Sequence, residues 1–242
     1  MNHLNFCDMS TLGKLRISGA AAHDFVRIMF TADVAPLERL GGAAASFLLT
    51  GEGEVIDVVL IIRTGDEEYM VTTSAETAGE AFEWLNAHSA ITDDAGPLFD
   101  GLTVTNETAA LATVVLFGVG SRAVLDELSA QSFETAPHTG RLTMVQLDTV
   151  SVLAFESPVL PGIGEVFELF CPPTSVEGLM HALLSFPEID PMAPADYRAL
   201  RAAHGTWFAP ATDAAYVRPS DTGFAHLLRP QNDYVGAKAL EA

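Results

Sequence analysis

The sequence carries one succession of predicted strands and helices twice, with the second copy offset from the first by about 100 residues. In each copy a strand leads into a helix, three strands follow, and a second helix ends the unit. The elements of the first copy are predicted at 12–18, 20–30, 45–50, 54–63, 68–73 and 75–88. Those of the second are predicted at 110–117, 121–131, 141–147, 150–155, 165–171 and 175–186. Because four pairs of elements keep one spacing, the sequence predicts a duplicated β-α-β-β-β-α unit.

The turns between the predicted strands are short, as at Gly51-Glu52-Gly53, which favours antiparallel pairing. A sheet with two helices buries its apolar face by carrying both helices on one side. The predicted fold class is therefore α+β, with two tandem repeats and antiparallel sheets. The predicted organisation is a first repeat at 1–92, a second at 98–188, and a C-terminal region at 189–242 that holds a helix and then an extended segment. Segments of that kind often line sites or cover sheet edges.

The composition describes a chain that can bury a sizeable core, since 49% of its residues are hydrophobic and 18% are charged. The longest apolar stretch, 55–62, contains Asp57 and is too short to cross a bilayer, so no membrane span is predicted. The first residues lack the basic start and long apolar middle of a secretory signal. We therefore expect a cytoplasmic protein.

The formal charge of −20 disfavours nucleic acid and anionic membranes as partners, because both require clustered cations. The cations are nevertheless unevenly placed along the chain. The region 198–242 contains four acids and these five cations: Arg198, Arg201, Arg218, Arg229 and Lys238. An anionic ligand is therefore expected to meet its least repulsive surface near this region.

Two familiar kinds of site are disfavoured by their context in the sequence. The stretch 118–123 matches the G-x-G-x-x-A outline of a dinucleotide loop, but adjacent hairpin-like strands follow its helix where a parallel crossover is required. The seven histidines have no metal-ligand spacing, and Cys7 and Cys171 have no partner at such spacing. No metal site is predicted, and both cysteines are expected to be buried thiols.

Two acids stand out within apolar strands. Asp57 interrupts the stretch 55–62, and its carboxylate must be hydrogen-bonded, exposed at the strand end or shifted in pKa. Glu168 lies between Phe167 and Leu169, where ordinary alternation places it on a solvated face. Each acid is therefore either a structural group or a candidate for chemistry.

Five phrases of the sequence occur together in a known order. They are Cys7-Asp8-Met9-Ser10, Gly53-Glu54-Val55-Ile56-Asp57, Gly164-Glu165-Val166-Phe167-Glu168, Arg198-Ala199-Leu200-Arg201-Ala202-Ala203-His204-Gly205, and Asp233-Tyr234-Val235-Gly236-Ala237-Lys238-Ala239-Leu240. Over most of the chain this set resembles the folate-binding aminomethyltransferase family, the glycine cleavage system T protein and its relatives. The closing phrase is the most specific, because it is similar to the family's "K-x-D-F-I-G-x-x-A-L". The chain looks like a minimal form of that family, without its C-terminal barrel domain.

The resemblance implies a fold and a function. Family members have a duplicated α+β body, hold tetrahydrofolate in a central channel and move one-carbon units onto it. Glu168 matches the glutamate that binds the aminopyrimidine edge of the pterin, a contact for which a carboxylate suits two N–H donors. Arg218 or Arg229 would meet the glutamate tail of the folate. Arg198 and Tyr234, which lie in family phrases, are the other expected cofactor-binding residues.

The sequence departs from the family at positions that matter for chemistry. Val58 stands where the family has its catalytic aspartate, and a valine cannot accept or donate a proton. Tyr197 replaces an expected arginine, Ala203 a glutamate and Gln231 a lysine. If the chain is an enzyme, the resemblance leaves Asp57 or Tyr197 to assist proton movement.

Two functions are therefore predicted as alternatives. The first is a tetrahydrofolate-dependent methyl or aminomethyl transferase or demethylase, in which positioning of folate and one-carbon donor supplies much of the rate. The second is a catalytically degenerate binding module or subunit of a larger complex, similar to the gamma subunit of heteromeric sarcosine oxidases. The expected partners are a reduced folate and a one-carbon donor, together with a carrier or subunit protein or a second copy of the chain.

Overall fold

The computed structural model describes residues 4–129, 140–160, 163–205, 217–231 and 233–241. Its strands are β1 (Leu4–Asp8), β2 (Gly13–Ser18), β3 (Ala43–Leu49), β4 (Val55–Gly65), β5 (Glu68–Thr73), β6 (Thr92–Asp93), β7 (Gly96–Pro97), β8 (Thr103–Asn106), β9 (Ala112–Gly118), β10 (Leu142–Leu147), β11 (Val150–Leu160), β12 (Gly164–Cys171) and β13 (Ile189–Pro191). Its α-helices are α1 (Ala22–Met29), α2 (Ala78–Ser89), α3 (Ser121–Leu128), α4 (Val176–Leu183), α5 (Pro194–Ala203) and α6 (Ala237–Leu240).

The α+β class and the duplicated β-α-β-β-β-α order are confirmed. Each of the twelve strands and helices predicted for the two repeats is present, and the ends differ by a few residues. The last positions predicted for the helix at 121–131, and the extended stretch at 206–216, lie outside the described residues. The helix predicted within the C-terminal region at 189–242 is α5.

Three short strands of the two main sheets were not predicted, namely β1, β8 and β13. Each has five residues or fewer. That length is too short for an alternation of apolar and polar residues to be recognised in a sequence.

Two compact units divide the chain. Unit 1 combines Met1–Thr11 with Thr108–Trp207, and unit 2 combines Leu12–Glu107 with Phe208–Ala242. The grouping differs from the predicted boundaries at both termini: the first residues join the second repeat, and the last residues join the first. The physical reason at the N-terminus is backbone pairing, since β1 hydrogen-bonds to β9 along Asn5–Asp8.

Unit 1 is built on a six-stranded sheet in the order β10-β11-β12-β9-β1-β13. Its neighbouring strands are antiparallel, except that β1 and β13 run parallel. The core lies on the face that carries α3 and α4 and includes Val114, Leu116, Leu125, Leu179 and Leu183. Because side chains alternate along a strand, Val115 and Phe117 point to the opposite face.

Unit 2 is built on a five-stranded antiparallel sheet in the order β3-β4-β5-β2-β8. One face packs on α1 and α2 through a core that includes Phe25, Val26, Leu85, Ile61 and Val71. Residues 217–231 and 233–241, which we call the C-terminal segment, contribute to a second apolar cluster on this unit. None of the described helices is long and apolar enough to span a membrane.

Candidate functional site

Asp57 lies in β4 with its side chain fully buried. Its carboxylate accepts four hydrogen bonds. Thr77 Oγ1 donates to Oδ2 at 2.6 Å and the Ser74 backbone N–H donates to the same oxygen at 2.7 Å. The Val58 N–H at 2.8 Å and the Ser74 hydroxyl at 3.0 Å donate to Oδ1. Asp57 thus joins β4 to the residues that precede α2.

Burial raises the pKa of Asp57, and the bonds from Thr77, Ser74 and Val58 offset that rise in part. Both oxygens are fully engaged by donors of the protein itself. From the sequence alone, Asp57 was open as either a structural or a chemical group. The geometry supports the structural role, because the carboxylate has neither exposure nor an unpaired position for a substrate.

Val58 follows Asp57 and belongs to the apolar cluster that the C-terminal segment completes. That cluster is formed by Phe47, Leu49, Val55, Tyr234 and Ala237, with Val58 and several half-buried residues packed against it. An ionised aspartate among these neighbours would carry a desolvation cost. The position at which the resemblance places a catalytic acid is therefore part of an apolar contact in this chain.

Arg229 is 7% exposed, and the protein uses each of its five N–H donors. Nη1 donates to the backbone carbonyls of Phe30 at 2.7 Å and Ala32 at 2.9 Å. Nη2 donates to the Arg27 carbonyl at 2.5 Å and pairs with Asp233 at 2.7 Å, and Nε donates to the same carboxylate. The guanidinium thus satisfies carbonyl groups at and beyond the C-terminal end of α1, where a cation is favoured.

This geometry bears on the prediction that Arg229 binds the tail of a folate. A ligand carboxylate would have to displace a bond that already holds the C-terminal segment to α1. Tyr234, likewise predicted to bind cofactor, is 7% exposed and lies under the Arg229 guanidinium, which is 5.1 Å from its ring centroid. Arg218 is exposed and donates to the Ala239 carbonyl at 3.0 Å. Of the two predicted tail-binding arginines, Arg218 is the one with solvent access.

The close approach of Gly236 to the loop after β3 fixes the end of the C-terminal segment. Gly236 has a φ of +85°, and a Cβ built on it would lie 2.5 Å from the Thr50 carbonyl oxygen and 3.1 Å from Gly53 Cα. No side chain fits there, and the left-handed φ favours glycine as well. The glycine of the closing phrase is therefore required by packing within unit 2.

Glu168 is half-buried in β12, in the sheet of unit 1. It is in register with Val115 on β9, and Val115 is in register with Cys7 on β1. Residues opposite one another on antiparallel strands point to the same face. Glu168, Val115 and Cys7 therefore form one row on the face away from α3 and α4. Alternation along β12 thus directs Glu168 away from the core of unit 1, and α5 lies beside it on that face.

Tyr197 of α5 packs on the same face and is 1% exposed. Its ring centroid is 4.7 Å from that of Phe117, which follows Val115 by two positions on β9. Arg201, one helical turn further along α5, donates from Nη1 to the Tyr197 hydroxyl at 2.9 Å. The Arg201 guanidinium also lies 5.7 Å from the centroid of the Tyr197 ring. The Tyr197 ring is thus contacted by Phe117 of the sheet and by Arg201 of its own helix.

The Tyr197 hydroxyl accepts a hydrogen bond but donates none to the described part of the protein, where Arg201 is its one hydrogen-bonding partner. Burial raises the pKa of Tyr197, the charge of Arg201 lowers it, and the charge of Glu168 raises it. The charge of Glu168 thus acts on the Tyr197 hydroxyl, which places the two side chains near each other.

Cys7 lies in the same row and is fully buried. Burial raises the pKa of its thiol to about 11, Asp8 adds to the rise, and the charge of Arg198 lowers it in part. Arg198, predicted to bind cofactor, therefore lies near this row as well. Burial likewise raises the pKa of Cys171. Both thiols are free and remain protonated at neutral pH.

We expect neither cysteine of the native protein to react with a thiol reagent, because the thiolate is the reactive species and both side chains are buried. Titration with Ellman's reagent at pH 7.5 should give no thiol within minutes in the native state. It should give both thiols after denaturation in guanidinium chloride. Rapid labelling of native Cys7 or Cys171 would contradict the burial described above.

The loop before α3 explains why a phosphate site is disfavoured there. The Arg122 backbone N–H, which a bound phosphate would use, donates to Glu165 Oε2 at 3.0 Å. The side chain of Arg122 pairs with Glu156. Glu165 thus accepts the backbone N–H at this helix N-terminus that a phosphate would need, and Glu156 pairs with the arginine side chain beside it. Among the residues that the structure describes, no three histidine, cysteine or acidic side chains are grouped to hold a metal ion.

The structure brings together some of the predicted site residues within each unit. Glu168, Tyr197 and Arg198 lie in unit 1, and the remaining predicted residues, Asp57, Arg218, Arg229 and Tyr234, lie in unit 2. Arg201 was singled out from the sequence only as a cation and as part of a family phrase, without a role. The signal that could have identified its role is the four-residue spacing from Tyr197 on a predicted helix.

Comparison with known proteins identifies relatives of this chain. The GCVT N-terminal domain model matches residues 1–205. Aminomethyltransferase from Bacillus cytotoxicus is 22% identical over 187 residues, which cover 77% of this chain and 48% of that protein. Aminomethyltransferase from Chlorobaculum tepidum is 26% identical over 147 residues, 57% of this chain and 38% of that protein. The chain thus spans about half or less of the length of these relatives.

Two solved structures share the fold. Glycine cleavage system aminomethyltransferase T from Bartonella henselae superposes with a TM-score of 0.81 at 19% identity, over 99% of this chain and 63% of that one. A chain of the heterotetrameric sarcosine oxidase from Corynebacterium sp. U-96 superposes with a TM-score of 0.53 at 11% identity, over 76% of this chain and 83% of that one. Since the family model covers most of the sequence, the chain belongs to the GCVT N-terminal domain family.

Proposed function

We propose that the protein binds a reduced folate and takes part in the transfer of a methyl or aminomethyl unit on tetrahydrofolate. The observation that carries the proposal is the position of Glu168. Its carboxylate lies on a half-buried face of unit 1 beside Tyr197 and Arg201, in a chain of the GCVT N-terminal domain family. A folate, when bound, would supply the nitrogen atoms that carry the one-carbon unit.

The side chains on this face fit the pterin ring of a folate. An ionised carboxylate accepts two N–H donors from one planar edge, as the 2-amino group and the ring nitrogen of a pterin provide. The Tyr197 hydroxyl accepts a hydrogen bond from Arg201, and a phenol can donate its own proton to a ligand acceptor. We assign Glu168 to the pterin, Arg198 to the acidic part of the folate and Tyr197 to proton movement. For Arg218, solvent access keeps the predicted role in binding the folate tail available.

Asp57, Arg229 and Tyr234 have supporting roles in this proposal. Asp57 and Arg229 are already saturated by bonds within the protein, and Tyr234 packs beneath Arg229. They hold the strands and the C-terminal segment in place, and we do not assign them contacts with the folate.

A second function is supported by the surroundings of Val58. An apolar side chain in the cluster of the C-terminal segment cannot replace a catalytic acid in proton transfer. A chain of this kind would bind folate without turning it over, as a subunit that supplies the ligand to a partner. The likeness to a chain of sarcosine oxidase supports a subunit role through fold alone.

The test is calorimetric titration with (6S)-5-formyltetrahydrofolate, a stable reduced folate. We expect binding by the wild type and about 10- to 100-fold weaker binding by Glu168→Gln, because a charge-assisted pair of hydrogen bonds is lost. Glu177→Gln, on the exposed side of α4, is the matched control and should bind as the wild type does. Absence of binding by the wild type, or an equal loss in both variants, contradicts the proposal.

The same preparation distinguishes the two functions. Folate carrying a ¹³C-labelled one-carbon unit is incubated with amine and thiol acceptors, and the label is followed by NMR. Transfer of the label identifies a transferase. Tight binding without transfer, together with a partner protein that co-purifies from the source, identifies the binding subunit.

A further inference from the structure

We propose that the hairpin β6-β7 carries a docking surface for a partner protein that presents apolar side chains ringed by lysine or arginine. This hairpin surface belongs to unit 2 and is formed by five exposed residues, namely Ile91, Asp93, Asp94, Leu98 and Asp100. No folate takes part in the contact, so the hairpin surface is independent of the proposed function.

Ile91 and Leu98 form the apolar centre of the hairpin surface. The Leu98 N–H donates to the Ile91 carbonyl at 2.9 Å, and the pairing of Thr92 with Pro97 continues this register into the hairpin. Because residues opposite each other on antiparallel strands point to the same side, the two apolar side chains lie next to each other. They are 43% and 52% exposed. Adjacent exposed apolar side chains form a patch, and patches, unlike scattered single residues, mark interaction sites.

The hairpin is anchored on both sides of this apolar pair. The Asp93 carboxylate accepts the Ala95 backbone N–H at 2.7 Å, which fixes the turn. Phe99, which follows Leu98, is 6% exposed and belongs to the core of unit 2. Its ring packs edge-on against Phe25, with the centroids 4.9 Å apart. The exposure of the apolar pair is therefore built into the fold of the hairpin.

The surroundings of the apolar pair are acidic. Residues 64–121 contain ten aspartates and glutamates and no lysine or arginine. Asp93 lies two positions after Ile91 along one strand, so its side chain points to the same side of the hairpin. Asp94 follows at the turn, and Asp100 lies beyond the second strand. In the part of the chain that the structure describes, none of these three aspartates takes part in an ion pair.

A basic partner fits this surface better than a second copy of the chain does. A two-fold interface places the same patch on both sides, so Asp93, Asp94 and Asp100 of one copy would face those of the other. Like charges across an interface cost affinity, and the formal charge of −20 adds to the repulsion between copies. Lysine or arginine around an apolar centre removes this repulsion and steers the approach of the partner.

The probe is a short amphipathic helical peptide of leucine and lysine, and its dissociation constant is measured by calorimetry at low and at high salt. We expect one-to-one binding by the wild type that weakens with salt. The double variant Ile91→Ser and Leu98→Ser should bind about tenfold more weakly, because the apolar area that the peptide covers is lost. The double variant Asp93→Asn and Asp94→Asn should bind about threefold more weakly at low salt, with a smaller difference at high salt.

Matched controls separate the hairpin surface from general effects of charge and apolar exposure. Met144→Ser removes an apolar side chain that is 74% exposed on β10 of unit 1. The double variant Glu127→Gln and Glu177→Gln removes two charges from exposed positions of unit 1. Both should bind the peptide within about twofold of the wild type. Asparagine at position 93 keeps an acceptor for the turn, and circular dichroism checks that every variant is folded.

Three results would overturn the docking surface. The first is absence of peptide binding by the wild type. The second is an equal loss of binding in the hairpin variants and in the controls, which would indicate a diffuse attraction between an acidic protein and a basic peptide. The third is a dimer in sedimentation that Ile91→Ser and Leu98→Ser abolish, which would identify a second copy as the occupant. None of these results affects the folate proposal, which is tested with folate alone.

Discussion

Replacing Arg229 with alanine is expected to lower the free energy of unfolding by about 4 kcal/mol. The side chain is almost fully buried and its five donors are engaged by three backbone carbonyls and Asp233. Removing it leaves these acceptors without their partner. The measurement is urea unfolding, with native-state hydrogen exchange of residues 217–241 as a second readout.

The matched control is Arg218→Ala, since Arg218 is exposed and its side chain makes one described hydrogen bond, to Ala239. We expect that variant to lose less than about 1 kcal/mol. Arg229→Lys should fall between the two, because an ammonium group has three donors and cannot reproduce the planar fork. Equal stabilities of the two alanine variants would contradict the role assigned to Arg229.

Replacing Asp57 with alanine is expected to cost about 3 kcal/mol, because the substitution leaves the Ser74 N–H and the hydroxyls of Ser74 and Thr77 without their buried acceptor. Each such group costs about 1 kcal/mol or more. Asp66→Ala, at the exposed turn between β4 and β5, is the control and should change stability by less than about 0.5 kcal/mol. The comparison is again made by urea unfolding.

The effect of Asp57 should depend on pH with a defined sign. Its folded pKa is raised by burial above the ordinary value of 3.8. A carboxyl whose folded pKa is raised contributes stability that is present below the unfolded pKa and is lost as the pH rises through the folded pKa. The difference in unfolding free energy between wild type and Asp57→Ala should therefore shrink as the pH rises from acid to neutral. A difference that grows with pH would contradict this assignment.

The architecture could be predicted because the same succession of apolar patterns occurs twice along the chain, about 100 residues apart. The helices and strands of both copies depend on local patterns that about ten to fifteen residues suffice to show. β1 and β13 were missed because short strands owe their existence to pairing with β9 and with each other, and such pairing is a long-range property. The joining of residues 208–242 to the first repeat is likewise long-range.

The candidate site was predictable in part. The sequence could single out Glu168 and Asp57 as acids in apolar strands, but it could not tell which was saturated by hydrogen bonds. Ser74 and Thr77 determine the answer for Asp57, and they lie outside its strand. Arg229 looked like a free cation for the same reason, since the carbonyls that it binds lie about 200 residues earlier in the chain.

Both units are discontinuous in sequence, and this affects how the chain is made. On a ribosome β1 emerges well before β9, the strand beside it in the sheet, which follows about a hundred residues later. The separation is larger in unit 2. Val55 and Tyr234 belong to the same apolar cluster, but Tyr234 is synthesised about 180 residues after Val55. Neither unit can be complete until most of the chain has been translated, so fragments cut near residue 107 should be poor substitutes for the whole.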